Sequence, residues 1–313
     1  MSLAETTAPV AGASADAAAA GAVSLAPAKP MWRRHLSALA HRPTAVVSAV
    51  FLLLLALMAI FAPWLAPHDP LEQNPAAILQ PPFWADGGST EYLLGTDELG
   101  RDLLSRLMVG ARTALGLGVA ATLVTALVGI VLGLMAGMST RFVGPVIMWI
   151  ADAQLAFPYI VLALAVIAAR GTSLFNLFVV LSIFGWVQFA RVVRAEVLRV
   201  KTADYVLAAR GCGTSTPKIV LRHILPNVAS PTIVTATFTF AAMVLVESGL
   251  SFLGVGVQPP TPDWGALMAS GRVYLYQSAW YSLLPGLLIF FTILAVNVLG
   301  LAVRDVLNPK GRR

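Results

Sequence analysis

The sequence predicts an all-α fold, that of a polytopic membrane protein with six transmembrane helices. Hydrophobic residues make up 58% of the 313 residues and charged residues only 12%, whereas about a quarter of the residues in soluble globular domains are charged. Mean hydropathy is +0.80. Six apolar runs are each long enough to cross the hydrocarbon of a bilayer, which takes about 17–25 helical residues. These observations exclude a soluble globular domain and make the lipid bilayer an expected partner.

The N-terminal tail is predicted to cover residues 1–42. Its first 30 residues are mainly Ala with scattered Ser, Thr, Gly and Pro, so they cannot bury enough apolar surface to fold alone. The absence of an apolar stretch after a short basic start argues against a cleavable signal peptide. We expect a disordered tail that ends in the basic residues Lys29, Arg33, Arg34 and Arg42.

The first span is predicted at residues 44–65, within a segment 43–66. These 22 uncharged residues reach about 33 Å as a helix, enough to cross the hydrocarbon. A long acidic loop, residues 67–111, follows. Residues 112–303 are predicted to form a five-helix core, with a C-terminal tail at 304–313. The core spans are expected at residues 115–138, 142–169, 174–190, 228–256 and 282–303.

The distribution of Lys and Arg predicts the orientation, because cytoplasmic loops carry an excess of these residues. With the N-terminus in the cytoplasm, the inner segments hold 16 of the 21 basic residues. Both termini and the charged segment 194–227 are then cytoplasmic. The basic residues left outside are Arg101, Arg106, Arg112, Arg170 and Arg272.

Two ionisable residues fall inside predicted spans. Asp152 lies in the third span and Glu247 in the fifth. An ionisable group facing lipid is costly, so both should face other helices, a partner subunit or a wet cavity. For Asp152, structural pairing is the commoner explanation.

The stretch 204–227, reading DYVLAARGCGTSTPKIVLRHILPN, predicts a helix, a glycine turn and a second helix. Gly211 and Gly213 follow the first helix, as is typical of a C-terminal cap. In the second helix Thr214, Ser215 and Thr216 are candidate N-caps and Pro217 the first helical position. One face is apolar, with Ile219, Val220, His223 and Ile224, and another is basic, with Lys218 and Arg222.

This pattern resembles the coupling loop of ABC importer membrane subunits in the dipeptide/oligopeptide/nickel permease family. Leu207 stands where the family usually has an acidic residue. The resemblance implies that the loop docks into a groove on a cytoplasmic ATPase, with small side chains allowing close approach. The residues that it assigns to this role are Asp204, Ala208, Ala209, Gly213, Arg222, Leu225 and Pro226.

A second stretch, residues 94–112, resembles the segment that precedes the second span in the same family. Physically, Asp97 can cap a helix that starts near Leu99, and the pattern of leucines and charges after it indicates an amphipathic helix along the outer membrane surface. A structural role is sufficient for these residues. The alternative is a docking surface for a substrate-binding protein, with Asp97, Arg101 and Asp102 as candidates.

A third family-like stretch, ESGLSFLGVG at 247–256, is followed by Pro and Trp residues up to 265. Its glycines allow close helix packing or a break, and the resemblance suggests an external gate formed by Glu247, Ser251, Phe252 and Gly254. Glu247 is the best candidate to meet the amino group of a peptide. Residues 266–277 are expected to form a short helix dipping back toward the path. The alternative is helix packing with an interfacial Trp264 anchor.

Other classes of function lack their motifs. The chain has no Gly-x-x-x-x-Gly-Lys-Ser/Thr and no His-Glu-x-x-His, so neither ATP binding nor a zinc protease is indicated. The single Cys212 and four scattered histidines predict no metal site. The net charge of +6 does not indicate nucleic acid, because the basic residues flank apolar runs. A secondary transporter is the more distant alternative, and no clear internal repeat supports it.

The resemblance therefore implies a non-catalytic permease subunit of an ABC importer in the bacterial inner membrane. It implies two cytoplasmic ATPase subunits, which bind ATP and Mg²⁺ in place of this chain. It also implies a second homologous permease and a periplasmic or lipoprotein substrate-binding protein. Peptides are the favoured substrate, with nickel chelates, glutathione and opines as alternatives.

Overall fold

The computed structural model describes residues 37–139 and 141–307, and this part of the chain is built of α-helices. The all-α prediction is confirmed. In chain order the helices are α1 (Pro43–Leu65), α2 (Leu103–Met138), α3 (Val143–Leu155), α4 (Tyr159–Arg170), α5 (Leu174–Val200), α6 (Asp204–Gly211), α7 (Thr216–Phe252), α8 (Trp264–Gly271) and α9 (Ala279–Leu307). Short 3₁₀ turns lie at Pro75–Ala77 and Arg272–Tyr274. Most of the predicted N-terminal tail, including Lys29, Arg33 and Arg34, lies outside the described residues.

Five helices in the described part are long and apolar enough to cross a membrane: α1, α2, α5, α7 and α9. The predicted third span is not one straight helix. It consists of α3 and α4, which meet at an angle of 85°. Pro158 precedes α4, and a proline disfavours helical backbone at the residue before it and supplies no N–H to continue the ladder. By length and composition, the described residues contain up to six candidate spans if the bent pair counts as one.

Two helices begin well before their predicted spans. α2 starts at Leu103, and its N-cap is Asp102, whose side chain accepts a hydrogen bond from the Ser105 N–H at 2.9 Å. The expected separate helix on the outer membrane surface is therefore the first turns of α2, and the prediction of Asp97 as its cap is wrong. α7 starts at Thr216 and absorbs the predicted second short helix.

Ion pairs and hydrogen bonds bring several helix ends to one end of the bundle. Arg42, before α1, lies 2.8 Å from Asp305 near the end of α9. Lys201, after α5, donates to the Gly137 carbonyl at the end of α2 at 2.8 Å. Arg199, near the end of α5, and Arg304, near the end of α9, line the same cavity. The ends of α1, α2, α5 and α9 that these contacts join therefore lie at the same end of the bundle. We call this the Arg42 end and the opposite one the Asp97 end.

Close packing of α2 on α5 forms the centre of the bundle. A Cβ added at Gly129, Gly133 or Gly137 would lie only 2.5–2.7 Å from atoms of α5. The neighbouring atoms are the Cβ atoms of Phe189, Val193 and Val197. Glycines four residues apart let two helix backbones approach closely, the usual device in membranes, where apolar burial between helices provides little driving force.

Candidate coupling element and the Asp97 end

The predicted glycine turn is present between α6 and α7. Gly213 has φ of 79°, its N–H bonds to the Arg210 carbonyl at 3.0 Å, and the Thr214 N–H bonds to the Ala209 carbonyl at 3.1 Å. These two bonds and the left-handed glycine form a Schellman motif. Gly211 is still helical, so Gly213 alone makes the turn.

The second piece forms the first turns of α7 and includes a π-helical turn, Val220–Ile224. A π turn bonds residues five apart, and accordingly Ile219 and Ile224 are both fully buried on one face. Lys218 and Arg222 are exposed, as the two-faced pattern predicts. The N-cap is Ser215 and Pro217 is the second helical residue, one position later than expected.

Residues 204–227 form a single body, here called the coupling knob. Val206, Ile219 and Ile224 pack in one apolar cluster with residues of α5 and α7. The Asn227 side chain joins the two halves, donating to the Tyr205 hydroxyl at 3.3 Å and to the His223 carbonyl at 2.6 Å. The knob is therefore attached to the Arg42 ends of both α5 and α7.

The free surface of the coupling knob combines charged residues with large apolar ones. Tyr205 is 50% exposed, Leu207 49% and Leu221 64%, and large exposed apolar patches mark interaction sites. Leu207, which departs from the family pattern, adds to this surface. Of the predicted coupling residues Ala209 is half-buried, and the exposed ones are Asp204, Ala208, Gly213, Arg222, Leu225 and Pro226.

At the Asp97 end, Asp97 is the centre of a buried polar network. Its carboxylate accepts from the Leu99 N–H at 2.9 Å and from the N–H and Nε of Arg101 at 3.0 and 2.6 Å. Arg106 Nε lies 3.2 Å away. Glu98 accepts a hydrogen bond from the Tyr281 hydroxyl of α9. The network ties the loop 66–102 to the start of α2 and, through Glu98, to α9.

This network corrects the expected docking surface. Asp97, Arg101 and Asp102 are all buried, and a buried side chain does not contact a protein docking from outside. Their role is the structural one that the sequence left open. The exposed side chains of the same loop include Phe83, Trp84 and Ile78, which no sequence pattern singled out.

The four predicted gate residues separate into two pairs. Glu247 and Ser251 are buried, so the expected contact of Glu247 with a peptide amino group is not available in this structure. Phe252 is partly exposed under Arg272, whose guanidinium carbon lies 5.1 Å from the ring centre. Gly254 is exposed, with φ of 81°.

The helix expected at residues 266–277 starts at Trp264, with Asp263 as its N-cap. Trp264 is fully buried and its indole N–H donates to the Leu107 carbonyl of α2 at 2.9 Å. The interfacial anchor role for Trp264 is therefore wrong. A Cβ on Gly265 would lie 2.2 Å from the Ser248 carbonyl oxygen, which shows how closely α8 packs on α7.

Two further features concern charged groups near the Arg42 end. Asp152 pairs with Arg191 at 2.6 Å across an exposed surface, the structural pairing that was the commoner explanation. A cavity of about 700 Å³ opens between α5, α7 and α9, and its polar lining includes Glu196, Asn227 and Ser230. Sequence reasoning missed this cavity because its lining comes from three separate helices.

The comparisons with known proteins place this arrangement in a family. Residues 129–313 match the family described as binding-protein-dependent transport system inner membrane component, and residues 30–82 match the N-terminal TM domain of oligopeptide transport permease C. The chain belongs to this family of membrane permeases, and the resemblance seen in the sequence is confirmed.

Individual relatives are similar over nearly their whole length. The di/tripeptide transport system permease protein DppC of Pseudomonas aeruginosa is 43% identical over 91% of this chain and 92% of its own. The dipeptide transport system permease protein DppC of Escherichia coli K12 is 38% identical, over 85% of this chain and 89% of its own. That of Haemophilus influenzae is 36% identical, over 85% and 90%.

Proposed function

We propose that this chain is one permease subunit of an ABC importer that carries di- and oligopeptides across the bacterial inner membrane. The observation that carries the proposal is the coupling knob, a surface of exposed apolar and charged side chains fixed to the ends of two membrane-spanning helices. Such a surface suits a partner that transmits mechanical work. The membership of the chain in a permease family supports the same function.

The proposed assembly contains two cytoplasmic ATPase subunits and a second homologous permease, with a separate substrate-binding protein on the outside. ATP and Mg²⁺ bind to the ATPases. Closure of the ATPases displaces the coupling knob, and α5 and α7 move with it because the apolar cluster leaves little room for independent motion. The coupling knob and both termini lie in the cytoplasm, in agreement with the distribution of Lys and Arg.

Peptide is the proposed substrate because the relatives named above are di- and tripeptide permeases. Nickel chelates, glutathione and opines are the competing substrates. Identification of the ligand on the co-encoded binding protein, followed by uptake of that ligand in cells with and without this chain, distinguishes them. Uptake of a nickel chelate in place of dipeptides would overturn the substrate assignment and leave the permease assignment intact.

The coupling role is tested by Ala208→Glu. Ala208 is exposed on α6, so the substitution adds charge to the docking surface without disturbing the packing. We expect the variant to insert normally while binding of the ATPase and stimulated ATP hydrolysis fall at least tenfold. The matched control is Ala279→Glu, an exposed alanine at the opposite end. Normal coupling in the Ala208 variant would contradict the assignment.

A further inference from the structure

Two carboxyl groups meet inside the protein where α7 ends and α8 begins. Glu247, near the end of α7, and Asp263, the N-cap of α8, are both fully buried. Ser248 and Ser251, which both donate to Glu247, pack against Gly265, two residues after Asp263, so the two carboxyl groups lie close together. Two ionised carboxylates only accept hydrogen bonds, so neither can satisfy the other unless one of them holds a proton.

The hydrogen bonds around the pair lack one donor. Ser251 and Ser248 donate to the two oxygens of Glu247 at 3.0 and 3.2 Å, and the Ala266 N–H donates to Asp263 Oδ2 at 3.0 Å. Asp263 Oδ1 is buried and has no partner with hydrogen-bond geometry in the described part of the chain. A proton on Glu247 would supply this donor.

No ion pair in the described residues compensates the two carboxyls. Neither Glu247 nor Asp263 is paired with an Arg, Lys or His among the residues that the structure describes. From α2, Gly110 and Thr113 face the loop that carries Asp263. The titratable and charged groups on the neighbouring segments are engaged elsewhere or exposed: Arg106 with Asp97, Tyr281 with Glu98, Arg272 over Phe252, and Arg112 in solvent.

Negative charges on both buried carboxyls would be costly, because burial in a low-dielectric interior penalises each charge and the two charges repel one another. The same burial raises the pKa of the Asp263 carboxyl. A metal cation is a poor alternative, since Ca²⁺ takes six to eight oxygen ligands and the oxygens here already receive O–H and N–H donors. A single proton on the pair would supply the one hydrogen-bond donor that Asp263 Oδ1 lacks.

We propose that Glu247 and Asp263 form a proton-binding site that holds one proton between them, and that this proton fastens α8 to the end of α7. Neighbouring contacts continue the junction: Trp264, next to Asp263, bonds to α2, and Gly265 lies against Ser248. Loss of the proton places two negative charges side by side and separates α8 from α7. The Asp97 end of the bundle therefore loosens as the pH on that side rises.

Infrared spectroscopy tests the site directly, with the full-length chain in lipid nanodiscs. At neutral pH the wild type should show the carbonyl stretch of one protonated carboxyl that is missing from both Glu247→Gln and Asp263→Asn. Asp86→Asn, at an exposed position, is the control and should leave the band unchanged. A wild-type spectrum identical to those of both variants in this region would overturn the proposal.

Thermal unfolding against pH gives a second readout. A carboxyl whose pKa is raised by folding stabilises the protein below its unfolded pKa, and this contribution is lost as pH rises through the folded value. The wild type should therefore lose stability on the alkaline side. Glu247→Gln carries a permanent N–H donor toward Asp263 and should show a flatter profile. Parallel profiles for the two proteins would contradict a shared proton, and this result does not depend on the substrate or on the ATPases.

Discussion

Gly213 is the residue on which the shape of the coupling knob depends. Its φ of 79° costs an L-residue about 1–2 kcal/mol, while a Cβ there would meet none of the described atoms within 4 Å. Backbone conformation alone therefore selects glycine at this position.

We predict that Gly213→Ala lowers the free energy of unfolding by about 1–2 kcal/mol and weakens ATPase binding. Gly211→Ala is the control, because Gly211 is helical and has equally open surroundings. That control should be neutral or stabilising by up to about 1 kcal/mol. Denaturant unfolding of the solubilised chain measures both, and equal effects would show that the left-handed turn is unimportant.

Substitution of Asp97 is expected to change the free energy of unfolding much more. Asp97 is buried and neutralises two arginines, and removal of one partner from a buried ion pair costs about 3–5 kcal/mol. Asp97→Ala should therefore lower the free energy of unfolding by about that amount. Asp86→Ala, on the exposed part of the same loop, should stay within about 0.5 kcal/mol. A similar loss in both variants would mean that the network adds no stability.

The sequence identified the important residues of the Asp97 end better than it identified their roles. Asp97, Arg101, Asp102 and Glu247 were all selected, and all are central to buried polar networks. For Glu247, the cost of an ionisable group in lipid already predicted shelter from the bilayer. The burial of Asp97, Arg101 and Asp102 could not be predicted, because part of what surrounds them comes from distant segments of the chain. Tyr281 bonds to Glu98 across 183 positions, and no local pattern records such a contact.

Among the elements, the glycine face of α2 gives the sharpest prediction. At Gly133 a Cβ would lie 2.7 Å from the Cβ of Val193, so Gly133→Ala must push α5 away. Overpacking of this kind costs about 1–3 kcal/mol. The same substitution at Gly116 of α2 meets open space in the described structure and should be neutral or stabilising. Thermal unfolding of the two variants in detergent should separate them, and identical midpoints would show that α2 and α5 do not pack this tightly.

Element boundaries were predictable only where hydropathy and helical structure end together. α1 matches its predicted span within a residue, because it is uncharged throughout and begins at a proline. α2 and α7 run on through charged residues, since backbone hydrogen bonding does not stop where hydropathy falls. The glycine spacing at 129, 133 and 137 is a recognised packing signal and could have been found from the sequence. The π turn leaves no comparable pattern.

At the scale of the whole molecule, α7 connects the coupling knob to the proton site. It spans 37 residues, about 55 Å at 1.5 Å per residue. Its first turns belong to the coupling knob and its last turns carry Glu247. A displacement of the knob by a partner is therefore transmitted to the junction with α8, where α8 packs closely on α7 beside the buried acid pair.

The most direct measurement of this account uses Cys212, the only cysteine of the chain. It is exposed beside the glycine turn of the coupling knob. A thiol reagent that does not cross membranes should label Cys212 in inside-out vesicles and not in intact cells, and the assembled ATPases should protect it. Labelling of Cys212 in intact cells would place the coupling knob outside and contradict the central claim that it receives work from cytoplasmic ATPases.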